Sequence, residues 1–151
     1  MTSIERAKPA DRAAIETLLV AADLPLIGLE LAIATAVVAR DGDNVVGCAA
    51  VEPYGSAGLL RSVAVTKTLR GTGLGRRLVA EAEAFAAESG IETLFLLTES
   101  AEDWFPRLGY EASTRNAVPA TLAASPEFTD ACPNSAAVFR KTIATGWRSR
   151  R

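Results

Sequence analysis

The sequence predicts an α+β domain, a β-sheet flanked by helices, from three observations. Two β-rich runs, 35–40 and 45–54, flank an Asp-Gly turn, which is a strong hairpin signal. "LLRSVAV" at 59–65 reads as a further consecutive strand. "LGRRLVAEAEAFAAESG" at 74–90 places apolar residues on one helical face, and Gly90 is well positioned as its C-terminal cap.

The rest of the chain supplies the flanking elements. They are, in chain order, an edge strand at 3–7, helices at 9–22 and 26–32, a buried strand at 92–98, a short helix running into a turn at 101–110, and a last strand at 135–143. Residues 111–134 are rich in turn residues and longer than a hairpin needs. We therefore expect one domain with an unusually long connection before its last strand.

Composition excludes several classes of function. A net charge of −2 argues against nucleic acid as the main partner, because duplex binding needs a concentrated basic face. Two cysteines and no histidine make a metal site unexpected, and they remove the commonest general base. The apolar run 17–39 contains Asp23, Pro25 and Glu30, so we expect no membrane span. We predict a cytoplasmic protein with no membrane contact.

The glycine-rich loop "RGTGLGRR" at 70–77 is shaped to hold an anion. It joins a strand to the start of the long helix, where unpaired N–H groups and the helix dipole favour negative charge. Its glycines let the backbone approach a pyrophosphate closely, and Arg70 and Arg76 add positive charge. The dinucleotide fingerprint and the P-loop both fail on spacing or residue type. A plain glycine-rich turn is the alternative.

The stretch Arg70-Gly71-Thr72-Gly73-Leu74-Gly75 fits every position of the acyl-CoA signature Arg/Gln-x-x-Gly-x-Gly/Ala. With "AEDWFPRLGY" at 101–110 as a second, separate motif, the chain resembles the GNAT (GCN5-related) superfamily of N-acetyltransferases. The resemblance implies the GNAT fold, with a mixed central sheet of about seven strands flanked by about four helices. It makes 1–144 a single acetyltransferase domain and 145–151 a short basic tail. It also implies acetyl-CoA as co-substrate, with no metal.

Several residues receive expected positions from this resemblance. The pantetheine arm would enter between the fourth and fifth strands and meet backbone groups along 63–65, which are Val63, Ala64 and Val65. Residues 70–76, ending at Arg76, would hold the pyrophosphate. Phe105 would lie near the thioester, where many family members have a tyrosine whose hydroxyl protonates the departing thiolate. The general acid is therefore left open between Tyr54, Tyr110 and no dedicated acid.

The general base should be a carboxylate, because the chain has no histidine. Glu52 is the first choice: it interrupts an apolar strand near the end that should face the cleft, where burial raises a carboxyl pKa. A solvated glutamate at a strand end is the alternative. Asp103 and Glu99 are the next candidates.

The acceptor is indicated by the C-terminal third of the chain. Its "VP…EF…CP-x-S-A" pattern resembles small N-acetyltransferases of arsenic-resistance operons and, more loosely, the acetyltransferase domain of N-acetylglutamate synthases. Both groups suggest an amino acid or amino-acid-like acceptor. Arg61 is then a candidate to pair with a substrate carboxylate, with a salt bridge on the sheet face as the alternative. Cys132 is interpreted as a core residue rather than a metalloid ligand.

The long connection at 111–134 is predicted to be an ordered lid over the acceptor side, or else the interface of a homodimer. The expected function is acetyl transfer from acetyl-CoA to a small amine by direct attack in a ternary complex. A GNAT-fold module that binds acyl-CoA without efficient turnover is the alternative, which the phenylalanine at 105 makes possible.

Overall fold

The computed structural model describes residues 2–131 and 136–143. Its strands form one sheet in the order β1-β2-β3-β4-β5-β7-β6. They are β1 Thr2–Arg6, β2 Val37–Asp41, β3 Asn44–Tyr54, β4 Ala57–Val65, β5 Thr93–Thr98, β6 Glu111–Ser113 and β7 Ala137–Thr142. Neighbours are antiparallel except β4 and β5, which are parallel. The mixed seven-stranded sheet confirms the predicted α+β GNAT architecture.

Four α-helices accompany the sheet in the described ranges, together with short 3-10 segments and one π-helical turn. The α-helices are α1 Arg12–Ala21, α2 Leu29–Ala32, α3 Leu74–Glu88 and α4 Ala120–Ala123. The 3-10 segments are Pro9–Asp11, Ile33–Thr35, Lys67–Leu69, Phe105–Leu108 and Arg115–Ala117, and the π-helical turn is Glu127–Ala131. Helix α3 ends as predicted, because Gly90 takes a φ of 90° and Ile91 N–H donates to Ala86 O.

Helices cover both faces of the sheet. On one face α3 buries Leu78 and Val79 against strand residues such as Leu96. On the other face α1 and α2 bury Leu19 and Leu29 against the first strands. Removing these side chains from water stabilises the domain by about 2 kcal/mol each. Strands β4 and β5 lie inside this sheet, and the site described below forms between them.

The long connection packs against the sheet instead of extending into solvent. Val118, Leu122 and Phe128 are buried with Leu59 and Phe95. Within this connection the structure contains β6 and α4, neither of which the turn-rich sequence revealed. A three-residue strand and a one-turn helix are too short to show periodicity. The domain boundary at 144, the tail 145–151 and Cys132 lie outside the described residues.

The site arises where β4 and β5 separate. Only Ala57–Leu59 of β4 pair with β5, and their partners there are Thr93–Phe95. Beyond Leu59, the edge of β4 that faces β5 has no strand partner among the described residues. A β-bulge lies in the same stretch, because Cys48 is paired with Ala64 while Ala50 is paired with Arg61. Ser62 in this bulge takes a φ of 60°. The resemblance implied such a gap between the fourth and fifth strands, and the structure contains it.

Candidate active site

A cavity of about 840 Å³ occupies the gap between β4 and β5. A volume of this size is in the range of pockets that enclose small ligands. Its walls are residues 60–65 of β4, the glycine loop, 96–98 of β5, Trp104, Phe105, the end of α1 at 21–24, and Glu127. The cavity thus runs from the start of α3 to the underside of the long connection.

Most residues predicted for the co-substrate line this cavity. They are Val63, Ala64, Val65, Arg70, Gly71, Gly73, Gly75, Arg76 and Phe105. The other two loop residues face elsewhere: Leu74 is buried in the core, and the Thr72 hydroxyl donates to Leu69 O at 2.6 Å. Thr72 and Leu74 can therefore offer only backbone groups to a ligand. That the lining residues bind acetyl-CoA stays a prediction.

The glycine loop requires glycine for its backbone conformation. Gly71 and Gly73 take φ angles of 80° and 87°, in the left-handed region that other residues rarely adopt. A Cβ at either position would meet no atom within 4 Å, so open space adjoins the backbone there. Gly73 precedes α3 and has no side chain to cap the first-turn N–H groups. The loop therefore presents free donors and the positive end of a long helix to the cavity.

Aromatic side chains form the opposite wall. A Cβ on Gly75 would lie 3.3 Å from Cζ2 of Trp104, so glycine there lets the tryptophan pack on the start of α3. The rings of Trp104 and Phe105 meet edge to face with centroids 4.9 Å apart. This wall is apolar, as an acyl chain or a pantetheine methylene would require.

Neither candidate tyrosine for the general acid lines the cavity. Tyr110 is buried, and its hydroxyl donates to Glu83 Oε2 at 2.8 Å. Burial and that carboxylate raise the pKa of Tyr110, so it is a structural residue. Tyr54 donates to Glu52 Oε1 at 2.5 Å, and burial, then the carboxylate, raise its pKa to about 12. The role of general acid stays open.

Glu52 and Arg61 form a fully buried ion pair, with Nη1 and Oε2 2.6 Å apart. The Arg61 guanidinium also donates to Ile27 O at 2.7 Å, Pro25 O at 3.0 Å and Ser62 Oγ at 3.1 Å. All three of its nitrogen atoms are therefore engaged by protein acceptors. The pair joins β3 and β4 to the segment between α1 and α2.

This arrangement differs from the expectation for both residues. The salt bridge considered as the alternative for Arg61 is present, and four of the five guanidinium N–H donors have acceptors among the described residues, although Arg61 also lines the cavity. Glu52 is neither a solvated strand end nor among the described residues of the cavity wall. Gly28 confirms how tightly the pair is enclosed, because a Cβ there would lie 2.9 Å from Arg61 Nη1. A catalytic Glu52 and a substrate-binding Arg61 stay predictions, but this geometry favours a supporting role.

Glu127 lines the cavity, and the sequence analysis gave it no functional role. It belongs to the long connection, is only 6% exposed, and its Oε2 has no hydrogen-bond partner within the described part of the chain. Burial raises the pKa of its carboxyl to about 7, with Arg61 lowering it and Glu52 raising it. By contrast, Asp103 and Glu99 are exposed and lie off the cavity wall. In the sequence, Glu127 is the glutamate of the "EF" pair in the insert pattern, to which no catalytic role was assigned.

The pKa of Glu127 predicts a pH dependence of stability. The folded value of about 7 lies above the reference value of 4.5, so its contribution is fully present below pH 4.5 and is lost as pH rises through 7. The loss should amount to about 3 kcal/mol. The difference in Tm between Glu127→Gln and the parent should therefore shift by about 10 °C in favour of the variant between pH 4.5 and pH 7. Thermal melts at several pH values measure this difference. A constant difference in Tm would contradict the raised pKa.

The described residues contain no site suited to binding a metal ion and no reactive thiol. No group of three histidine, cysteine, aspartate or glutamate side chains is placed there to hold a metal ion. Burial raises the pKa of the Cys48 thiol to about 12, which leaves it unreactive near neutral pH. In residues 2–131 and 136–143, no helix has the length and apolar character needed to cross a membrane.

Residues 32–112 match the model of a family described as the acetyltransferase (GNAT) domain. The match spans more than half of the chain. The chain belongs to the GNAT acetyltransferase family. In this GNAT domain the matched segment contains the glycine loop, both strands that line the gap, and the aromatic wall. Glu127 and most of the long connection lie beyond the match.

Curated relatives of this GNAT domain include much longer proteins. Amino-acid acetyltransferases of Ralstonia nicotianae and Pseudomonas syringae pv. tomato are 36% identical over 85 residues and 33% identical over 109 residues. These stretches are 55% and 71% of this chain but 19% and 24% of the two relatives. The chain thus spans only about a fifth to a quarter of the length of these two relatives.

Solved structures share the fold of this GNAT domain. The N-acetylglutamate synthase from Neisseria gonorrhoeae, complexed with coenzyme A and N-acetyl-glutamate, superposes with a TM-score of 0.82 at 22% identity. The superposition covers 95% of this chain and 35% of that one. A Mycobacterium tuberculosis protein in complex with CoA and NLQ gives a TM-score of 0.76 at 24% identity, covering 94% and 99%. At these identities the likeness concerns the fold.

Proposed function

We propose that this domain transfers an acetyl group from acetyl-CoA to the amine of a small amino acid or amino-acid-like compound. The observation that carries the proposal is the continuous cavity that joins the glycine loop to the buried polar groups under the long connection. The names of the matched relatives, amino-acid acetyltransferase and N-acetylglutamate synthase, support the class of acceptor. The reaction is direct attack of the amine within a ternary complex.

The residues present fit acetyl-CoA at one end of the cavity. The open approach to Gly71 and Gly73 and the uncapped start of α3 suit a pyrophosphate, with Arg70 and Arg76 adding charge. The unpaired edge of β4 at Val63 and Val65 offers backbone groups to the amides of the pantetheine arm. When bound, acetyl-CoA supplies an activated acetyl thioester.

The other end of the cavity suits a compact acceptor. The insert closes it from one side, since Val118, Leu122 and Phe128 fix this segment against the sheet. The segment between α1 and α2 closes it from another side and is held by Pro25 O and Ile27 O on Arg61. We expect a fixed lid of this kind to favour compact acceptors over peptides and protein tails.

A thiol-release assay tests the proposal. We expect CoA release when the protein meets acetyl-CoA and at least one member of a panel of free amino acids and analogues. Lysine-rich peptides and aminoglycosides should give no release above the background without acceptor. The acetylated product, identified by mass, must carry the acetyl group on nitrogen. Turnover on peptides or aminoglycosides alone would overturn the choice of acceptor.

Phe105 favours a second candidate function, an acyl-CoA-binding module without efficient turnover. Phenylalanine cannot protonate a leaving thiolate, and neither tyrosine considered above reaches the cavity wall. Calorimetry and the thiol-release assay together distinguish the two functions. The module would bind acetyl-CoA in calorimetry but release no thiol with any acceptor of the panel.

Three finer assignments are also proposals. Membership of the arsenic-resistance group is supported by the pattern of the insert, while the named relatives reported above are amino-acid acetyltransferases. A homodimer is supported by apolar side chains exposed around α1 and α2, among them Val20 and Leu31. A cytoplasmic location rests on the sequence argument alone, as does the expectation that nucleic acid is not a partner.

A further inference from the structure

We propose that Glu127 is a catalytic residue: its carboxylate binds the ammonium group of the acceptor and takes a proton from it before the amine attacks. This inference rests on the proposed function and extends it to a residue of the long connection. Glu127 lies outside the segment 32–112 that matches the family model, so the assignment concerns this chain's own insert.

The geometry of Glu127 is that of a group awaiting a ligand. Its side chain is in the cavity wall and more than nine-tenths of the residue is buried, yet Oε2 accepts no hydrogen bond from any described residue. An unpaired buried carboxylate oxygen is costly, so its presence calls for a partner that the described residues do not supply. A ligand with N–H donors in the cavity would compensate this carboxylate.

The surrounding charges select a cation as that ligand. Arg61 from β4 and Glu52 from β3 are the charged groups that shift the pKa of Glu127. Asp23, Arg70, Arg76 and Arg107 also line the cavity. Arg61 is already neutralised by its contact with Glu52, and three of its other four N–H donors go to backbone and hydroxyl oxygens. When Glu127 is ionised, the three groups together carry one net negative charge. A primary ammonium group offers both the positive charge and the donors.

The buried ion pair of Glu52 and Arg61 also makes Glu52 less suited than Glu127 to accept a proton. Glu52 Oε2 accepts from Arg61 and Oε1 accepts from Tyr54, so both oxygens have protein partners. Proton transfer to Glu52 would break a buried ion pair, which costs several kcal/mol. Among the described residues, Glu127 has no ion pair of this kind to lose.

Protons and electrons balance as follows. The ammonium group gives one proton to the Glu127 carboxylate, and the freed nitrogen lone pair forms the C–N bond to the acetyl carbon of acetyl-CoA. The C–S bond breaks, and its electron pair leaves on the thiolate. The nitrogen loses a second proton as the amide forms. Of the two protons, one ends on the CoA thiol and the other is released to solvent. The raised pKa of Glu127, about 7, matches a base that works near neutral pH.

Kinetics of Glu127→Gln test the catalytic half of the proposal. With the panel acceptor that gives the fastest thiol release, kcat/KM at pH 7 should fall by about 10²-fold while the affinity for CoA in calorimetry is unchanged. The parent should show a rising limb of log kcat/KM centred near pH 7, and the variant should lack it. Glu81→Gln, which removes an exposed carboxylate from the outer face of α3, should match the parent.

A titration of the carboxyl group tests the binding half without turnover. In protein labelled with ¹³C at glutamate Cδ, the signal lost in Glu127→Gln should titrate near pH 7 in the CoA complex. Methylammonium chloride should lower that midpoint, and sodium chloride at equal ionic strength should not. A retained pH limb in Glu127→Gln, or a midpoint insensitive to methylammonium, would overturn the proposal. If the parent shows no turnover, the proposed function fails, and the methylammonium titration alone then decides whether Glu127 is a cation site.

Discussion

Gly73→Glu is expected to weaken the binding of acetyl-CoA severely. Gly73→Glu places a carboxylate where the cavity meets the uncapped start of α3, in a loop that we assign to the pyrophosphate. Two like charges in contact repel, and the new side chain fills the open space next to the backbone. We expect the affinity to fall by at least about 10²-fold, corresponding to roughly 3 kcal/mol, when CoA binding is measured by calorimetry.

Gly42→Glu is the matched control for this variant. Gly42 also has a positive φ, 63°, and a Cβ there also meets nothing within 4 Å. It lies in the turn between β2 and β3, away from the cavity wall. Both variants thus carry the same added charge and similar backbone strain, so a difference between them reports the ligand site. Equal CoA affinity in Gly73→Glu and the parent would place the site elsewhere.

The fold was predictable from the sequence because its strong elements carry local signals. The hairpin of β2 and β3 has an Asp-Gly turn, and α3 has a continuous apolar face ending at Gly90. The glycine loop was predictable for the same reason, since its conformation is encoded in consecutive residues. The short elements of the long connection lacked such signals, because one turn or three residues show no period.

The polar centre was less predictable because it depends on contacts between distant residues. Arg61 and Glu52 were both identified, but their pairing depends on the register of β3 with β4. The backbone acceptors at Pro25 and Ile27 come from a third, irregular segment. Glu127 reaches the cavity only because Phe128 and Leu122 seat the insert on the sheet. No local pattern encodes an arrangement of this kind.

The second large effect is expected at the buried ion pair. Arg61→Met removes one charge and leaves the Glu52 carboxylate buried without its main partner. Breaking a buried pair in this way costs about 3–5 kcal/mol of the free energy of unfolding. For a domain of this size the Tm should fall by roughly 10 °C in a calorimetric scan. Glu52→Met should have a comparable effect, because it leaves the guanidinium uncompensated.

The double variant Glu52→Met/Arg61→Met distinguishes a structural pair from a substrate anchor. Two apolar side chains of similar size remove both charges at once, so most of the lost stability should return, as a thermodynamic cycle of the four proteins would show. If Arg61 instead pairs with the acceptor carboxylate, Arg61→Ala should leave the Tm nearly unchanged and raise KM for the acceptor far more than KM for acetyl-CoA. The present geometry favours the first result, because every nitrogen of the Arg61 guanidinium already donates to the protein. A stable Arg61→Ala with a selective rise in acceptor KM would show that the pair opens to admit substrate.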